Sequence, residues 1–185
     1  MKWALLAAAI IVLAWLIITY NGLVALRQRT AQAFGDIDVQ LKQRHDLIPN
    51  LVETVRGYAA HERGTLEAVI QARNAAAAAQ DPGQVVRSEG ALQNSLQRLV
   101  ALGEAYPDLK ASTNFQALQE RLADIEDKLA AARRFFNNAV AEYNAAIAAV
   151  PAVLFAAPFG FTPKPFFDLG EGTRATLEAP PRVSF

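Results

Sequence analysis

The sequence predicts an all-α protein in which an N-terminal transmembrane helix continues into an up-and-down bundle of long antiparallel helices. Three observations predict it. Residues 3–19 are apolar and carry no charge. Apolar side chains recur in steps of three and four over two long stretches, the period of a helix face. The breakers of helices are gathered at a few points, and six of the nine prolines fall after residue 150. The chain divides accordingly into an anchor at 1–20, a bundle at 21–150 and a proline- and phenylalanine-rich tail at 151–185.

As a helix, residues 3–19 extend about 26 Å, sufficient to cross a bilayer with little to spare. Trp3 and Tyr20 stand at the two ends, where amphipathic rings favour the interface. The competing reading is a cleaved signal peptide. A single lysine precedes the apolar run, but Ile17, Ile18, Thr19 and Tyr20 occupy the zone where a small-x-small cleavage site would lie, so an uncleaved anchor is expected. Lys2 stands on one side and Arg27 and Arg29 on the other, a slight bias towards a cytoplasmic body that leaves the periplasmic side open.

After the anchor, the first helix is expected to run through Leu23, Leu26 and Phe34 as far as the alanines at 75–79, with Gln80-Asp81-Pro82-Gly83 ending it. Phe34, Ile37, Leu41, Arg44, Ile48, Leu51, Val55, Tyr58 and Glu62 share one face, and Leu47, Val52 and Ala59 widen it beyond what one partner helix would cover. Pro49 interrupts this stretch. It removes the bond to the carbonyl of His45, at about 3 kcal/mol. The apolar phase nevertheless passes through it unshifted, which predicts one helix kinked near 45–49 and no reversal. A second helix carries Val85, Leu92, Leu96, Leu99 and Tyr106, and Pro107 stops it. A third begins at Thr113, with Gln116 completing a capping box, and keeps its apolar period to Val150 before Pro151 closes it.

Arg44 and Glu62 take seam positions where apolar residues are expected, and a buried charge needs a partner. Arg133, Arg134, Glu120, Asp124 and Asp127 on the third helix are the candidates. The structural reading of Arg44, Glu62, Arg133 and Arg134 is a polar layer that fixes register; the functional reading is a docking site. The tail is as apolar as the anchor over 152–167, but Pro158, Gly160, Pro163 and Pro165 would leave backbone groups unpaired in hydrocarbon, so it does not span. Its Phe155, Phe159, Phe161, Phe166 and Phe167 either cap the bundle or meet membrane or a neighbouring subunit.

Enzymatic signatures are missing. His61-Glu62 would open a zinc-protease motif, but Thr65 stands where the second histidine must be. His45 and His61 lie about 24 Å apart along a helix, too far to share a metal, and solvated or capping roles are expected for both. There is no cysteine, the 18 basic and 18 acidic residues balance, and no glycine-rich loop follows a strand. These features predict no enzyme, no cofactor, no metal and no nucleic-acid partner.

Several longer words point to a family: Tyr20-Asn21 with Leu23-Val24 and Leu26-Arg27, DIDVQLK at 36–42 with Arg44, DLIPNLVETV at 46–55 and GYAAHE at 57–62. Further on come EAYPDLKA at 104–111, Asn114-Phe115, Arg134 with Phe136-Asn137, Tyr143-Asn144, and FGF at 159–161. In these the sequence resembles the LemA family of bacterial membrane proteins over nearly its whole length. It departs at Phe136, where the family often has tyrosine, and at Pro158. The resemblance implies a single-pass anchored helical bundle in the bacterial inner membrane, with no established enzyme activity. The expected function is a self-associating scaffold or adaptor, working through its bundle and apolar tail, with membrane lipid, copies of itself and other membrane proteins as partners. The alternatives are a membrane-shaping or membrane-sensing protein whose tail lies in the interface, and an accessory to a membrane protease or quality-control complex, the latter carried by family association alone.

Overall fold

The computed structural model describes residues 1–80 and 82–167, and among these every regular element is helical. The elements are α1 (Lys2–Tyr58), α2 (Arg63–Ala78), α3 (Pro82–Ala105), a single turn α4 (Pro107–Lys110) and α5 (Thr113–Ala148), followed by a 3-10 turn at Ala152–Leu154. The expected all-α chain with a long apolar N-terminal helix is what forms. Contacts group it into two compact units, the first made of Met1–Leu41 and Glu126–Phe166, the second of Lys42–Ile125 with Phe167. Both α1 and α5 contribute a stretch to each.

In the second unit α1 continues through Pro49 to Tyr58. It does not continue to the alanine run. The chain turns at Ala59–Glu62, where the Glu62 amide donates to the Ala59 carbonyl, and α2 folds back so that Arg73 reaches His45. The expected single helix to residue 79 is therefore a helical hairpin. The reason is burial: the turn brings Leu66, Val69 and Ala76 into one core with Ile48, Leu51, Val52 and Val55, and α3 and the start of α5 add Leu92, Leu96, Leu99, Phe115 and Leu122. A straight helix would have left the apolar face of α2 in water, at about 1.5–3 kcal/mol for each large side chain. Tyr58, placed in the seam by its spacing, is 47% exposed, and Ala59 takes the buried position.

The loop before α5 also differs by one residue from the sequence expectation. Ser112, not Thr113, caps the helix: its hydroxyl accepts from the Phe115 amide at 3.5 Å, and the Gln116 side chain donates to the Lys110 carbonyl. Behind this cap Phe115 fills the space beside Gly103, where a Cβ would come within 2.6 Å of a ring carbon. In an open helix Gly→Ala gains up to about 1 kcal/mol. Here Gly103→Ala overpacks the core and is expected to cost a net 1 kcal/mol or so in thermal unfolding, reversing the usual sign.

In the first unit α1 and α5 run antiparallel. Arg29 pairs with Glu142 at 2.7 Å, and the Phe34 and Phe136 rings meet edge to face at 5.6 Å. The buried positions of α5 drift along the helix, from Phe136 and Ala139 to Val140, Tyr143 and Ile147; the helix ends at Ala148 and not at the expected Val150, which lies in the turn beyond it and is exposed. A helix of 3.6 residues per turn slips by about 20° per heptad, which accounts for the drift. Leu23, Tyr143, Ile147, Ala152, Ala156 and Phe161 form the core at this end.

Candidate functional site

Two constellations stand out, one in each unit. The first is polar and is buried in the second unit, near the start of its stretch of α1. Arg44 of α1 is fully buried, and its guanidinium meets the Glu89 carboxylate of α3 at 3.3 Å and the side-chain carbonyl of Gln93. On the next residue of α1, His45 Nε2 lies 2.6 Å from the other Glu89 oxygen, and an ionised carboxylate makes that nitrogen the donor. Glu89 is itself 0% exposed. The carboxylate is thus gripped from two sides by adjacent residues of one helix turn.

Pro49 explains the geometry around it. Its missing N–H frees the His45 carbonyl, and Arg73 Nε of α2 supplies a donor to that oxygen at 3.1 Å. Three helices are therefore joined at one level by Arg44, His45, Arg73, Glu89 and Gln93. A buried pair of this kind adds little net stability over an apolar pair, but it penalises any register in which a charge is left alone.

Arg44 belongs to this layer, while Glu62, Arg133 and Arg134 are placed elsewhere. Glu62 precedes α2 at the hairpin, half-buried, and accepts a hydrogen bond from the Tyr106 hydroxyl at 3.2 Å. Arg133 is half-buried and Arg134 exposed on the stretch of α5 that belongs to the first unit. Glu89 was missed, although it sits in step with Val85, Leu92, Leu96 and Leu99, and this position in the α3 seam was the available signal. His45, expected to be solvated or capping, is buried at 8% exposure. Lys42 pairs with Asp46 at 2.9 Å, which holds the Asp46 carboxyl below its ordinary value.

The second constellation lies where α1 leaves its apolar stretch. Residues 151–161 fold back on α1 and α5, and Gly160, at a φ of 76° that a glycine accepts freely, makes the turn that sends Phe161 inward. Phe161 is 2% exposed, edge-on to Tyr20 at 5.5 Å and beneath the Arg27 guanidinium at 5.0 Å. The tail's phenylalanines divide: Phe161 and Phe167 are buried, Phe155 is half-buried, and Phe159 and Phe166 are exposed by 60% and 56%. Leu16, Ile17, Tyr20, Leu154, Phe155 and Phe159 line an open groove of about 510 Å³. Asn144 fixes the outgoing chain by bonding both the amide and the carbonyl of Lys164 at 2.9 Å. Burial pushes the neighbouring Tyr143 hydroxyl above its ordinary pKa, with Arg27 opposing.

An uncharged stretch at the start of α1, apolar and long enough to cross a bilayer and followed by further helices, is the pattern of a membrane-associated helical protein. The chain belongs to the LemA family, whose model matches residues 33–185. It is similar to the magnetosome protein MamQ of Magnetospirillum gryphiswaldense, 24% identical over 178 residues, a match covering 82% of this chain and 65% of that protein. It also resembles magnetosome proteins MamQ 1 and MamQ 2 of Paramagnetospirillum magneticum, each 23% identical over 182 residues and covering 84% of this chain and 67% of theirs. The chain thus spans about two thirds of the length of these relatives.

Proposed function

We propose that the protein is a non-enzymatic scaffold or adaptor of the inner membrane that associates with copies of itself through its helical body. The observation that carries this reading is apolar surface left open beyond the span: on the α1–α5 pair of the first unit Val39 is 52% exposed and Phe135 43%. Two helices cover each other over a narrow stripe only, so such a pair keeps faces for further helices. The buried layer at Glu89 supports the reading from another side, because its groups are spent on holding register and leave no free acid, base or nucleophile there.

The chain has no native cysteine, which makes the test clean. With Val39→Cys or Phe135→Cys in native membranes, a short bifunctional maleimide should give ladders of linked chains. Recovery of single chains only, from both variants, would remove the reading.

A second reading has its own support. Phe159 and Leu154, exposed by 60% and 78%, flank a groove whose other wall is the end of the apolar helix. In this reading the C-terminal segment lies in the membrane interface and senses or shapes it.

A further inference from the structure

We propose that the groove at the end of the apolar helix, together with Arg27 and Lys164, binds one anionic phospholipid, an acyl chain lying in the groove and the phosphate bridging the two cations. The groove supplies the first half. Its wall of Leu16, Ile17 and Tyr20 is continuous with the apolar helix, and its opposite wall of Leu154, Phe155 and Phe159 has no backbone fit to span. A lipid of the adjoining leaflet reaches this cleft without leaving hydrocarbon. The volume of about 510 Å³ is within the ordinary range of ligand clefts.

The cations supply the second half. Arg27 lies seven residues past Tyr20, about 10 Å further along the helix. Side chains of a helix lean towards its N-terminus, here towards the membrane, and the guanidinium indeed rests on Phe161, which touches Tyr20. That is the depth of headgroups when Tyr20 marks the interface. Lys164 is held by Asn144 through its own backbone, and its ammonium donates to the buried Thr30 hydroxyl at 2.6 Å. The same Thr30 hydroxyl donates to the Arg27 carbonyl at 2.7 Å, which sets Arg27 and Lys164 side by side; burial first and then the Arg27 charge hold the Lys164 pKa below its ordinary value. Among the described residues neither is paired with a carboxylate, whereas Arg29, two residues on, has Glu142. Two half-buried like charges held together by neutral groups are unfavourable alone, and a phosphate between them relieves both.

The assignment rests on the membrane placement but not on self-association. Full-length protein in a non-ionic detergent, offered dioleoylphosphatidylglycerol or dioleoylphosphatidylcholine, is examined by native mass spectrometry. We expect the anionic lipid to be retained on the order of tenfold better. Arg27→Gln with Lys164→Gln should bring the two lipids to parity, Arg27→Lys should keep the preference, and Leu154→Ser with Phe159→Ser should weaken both. Because Lys164 also bonds Thr30, Arg27→Gln alone serves as the milder variant, and helical circular dichroism checks each fold. Equal retention by the unaltered protein, or a preference that survives loss of both cations, overturns the proposal. So does displacement of the lipid by inorganic phosphate at comparable concentration, which would make this a site for a free anion. Weakening by neither groove substitution would deny the acyl chain its place. Release of the chain from native membranes by alkaline carbonate would instead contradict the membrane placement itself.

Discussion

Arg44→Met should destabilise the protein by about 3–5 kcal/mol, the cost of removing one partner from a buried ion pair. Methionine fills much of the space, so the loss reflects charge and not cavity. Glu89, 0% exposed, then keeps His45 as a partner but loses the guanidinium. Stabilities of natural domains are about 5–15 kcal/mol, so this one change removes a large share. The double variant Arg44→Met with Glu89→Leu should be clearly more stable than the sum of the two single losses predicts, since it takes away both charges together. Denaturant unfolding of the full-length protein in detergent, followed by helical circular dichroism, reads all four corners of the cycle. Additive losses, or an Arg44→Met cost below about 1 kcal/mol, would mean that the layer is not what holds the register.

The second large effect concerns the segment folded back on α1. Phe161→Ala should lower the free energy that holds residues 151–161 in place by about 3–5 kcal/mol, while Phe159→Ala, two residues away, should change it little. The contrast follows from burial, 2% exposure against 60%. Phe161 fills the core of Leu23, Tyr143 and Ile147, and the Gly160 turn exists to deliver it there. Hydrogen exchange provides the measurement. The amides of Ala156 and Phe161, bonded to the Ala152 and Ala156 carbonyls, should lose protection in Phe161→Ala and keep it in Phe159→Ala. Equal exchange in the two variants would show that the segment is held by something other than this ring.

Helix identity was written plainly in the apolar period, but the number of helices was not. At Pro49 the period runs on unshifted and so does the helix. At Ala59–Glu62 it also runs on unshifted, through Val55, Ala59, Glu62, Leu66, Val69, Arg73 and Ala76 in steps of four and three, yet the chain reverses. A hairpin that turns between two in-phase helices leaves no mark on the period, and Ala59-Ala60 carries no turn chemistry of its own. What decides is long-range burial of Leu66 and Val69, which no local window contains. That Glu89 and Gln93 of α3 are partners of Arg44 was hidden for a related reason. If α2 continues α1, α3 has no obvious way to reach the level of Arg44, and only the turn at 59–62 brings it there. The freed carbonyl of His45 was legible from Pro49; that Arg73 would satisfy it was not, because that contact too depends on the turn at 59–62.

At the C-terminal segment the sequence presents five phenylalanines as a single group, and the fold separates Phe159 from Phe161 at one glycine turn. The alternatives of cap and contact surface are then divided between neighbours: Phe161 belongs to the core, and Phe159 faces out beside the groove. Nothing in composition distinguishes those two positions.

Self-association is the central claim, and the mass of the full-length protein solubilised in a mild non-ionic detergent tests it most directly. Light scattering corrected for bound detergent should give a discrete multiple of the chain mass, and Phe135→Glu should reduce it towards a single chain. A single-chain mass for the unaltered protein, at concentrations where the anchor remains folded, would contradict the scaffold.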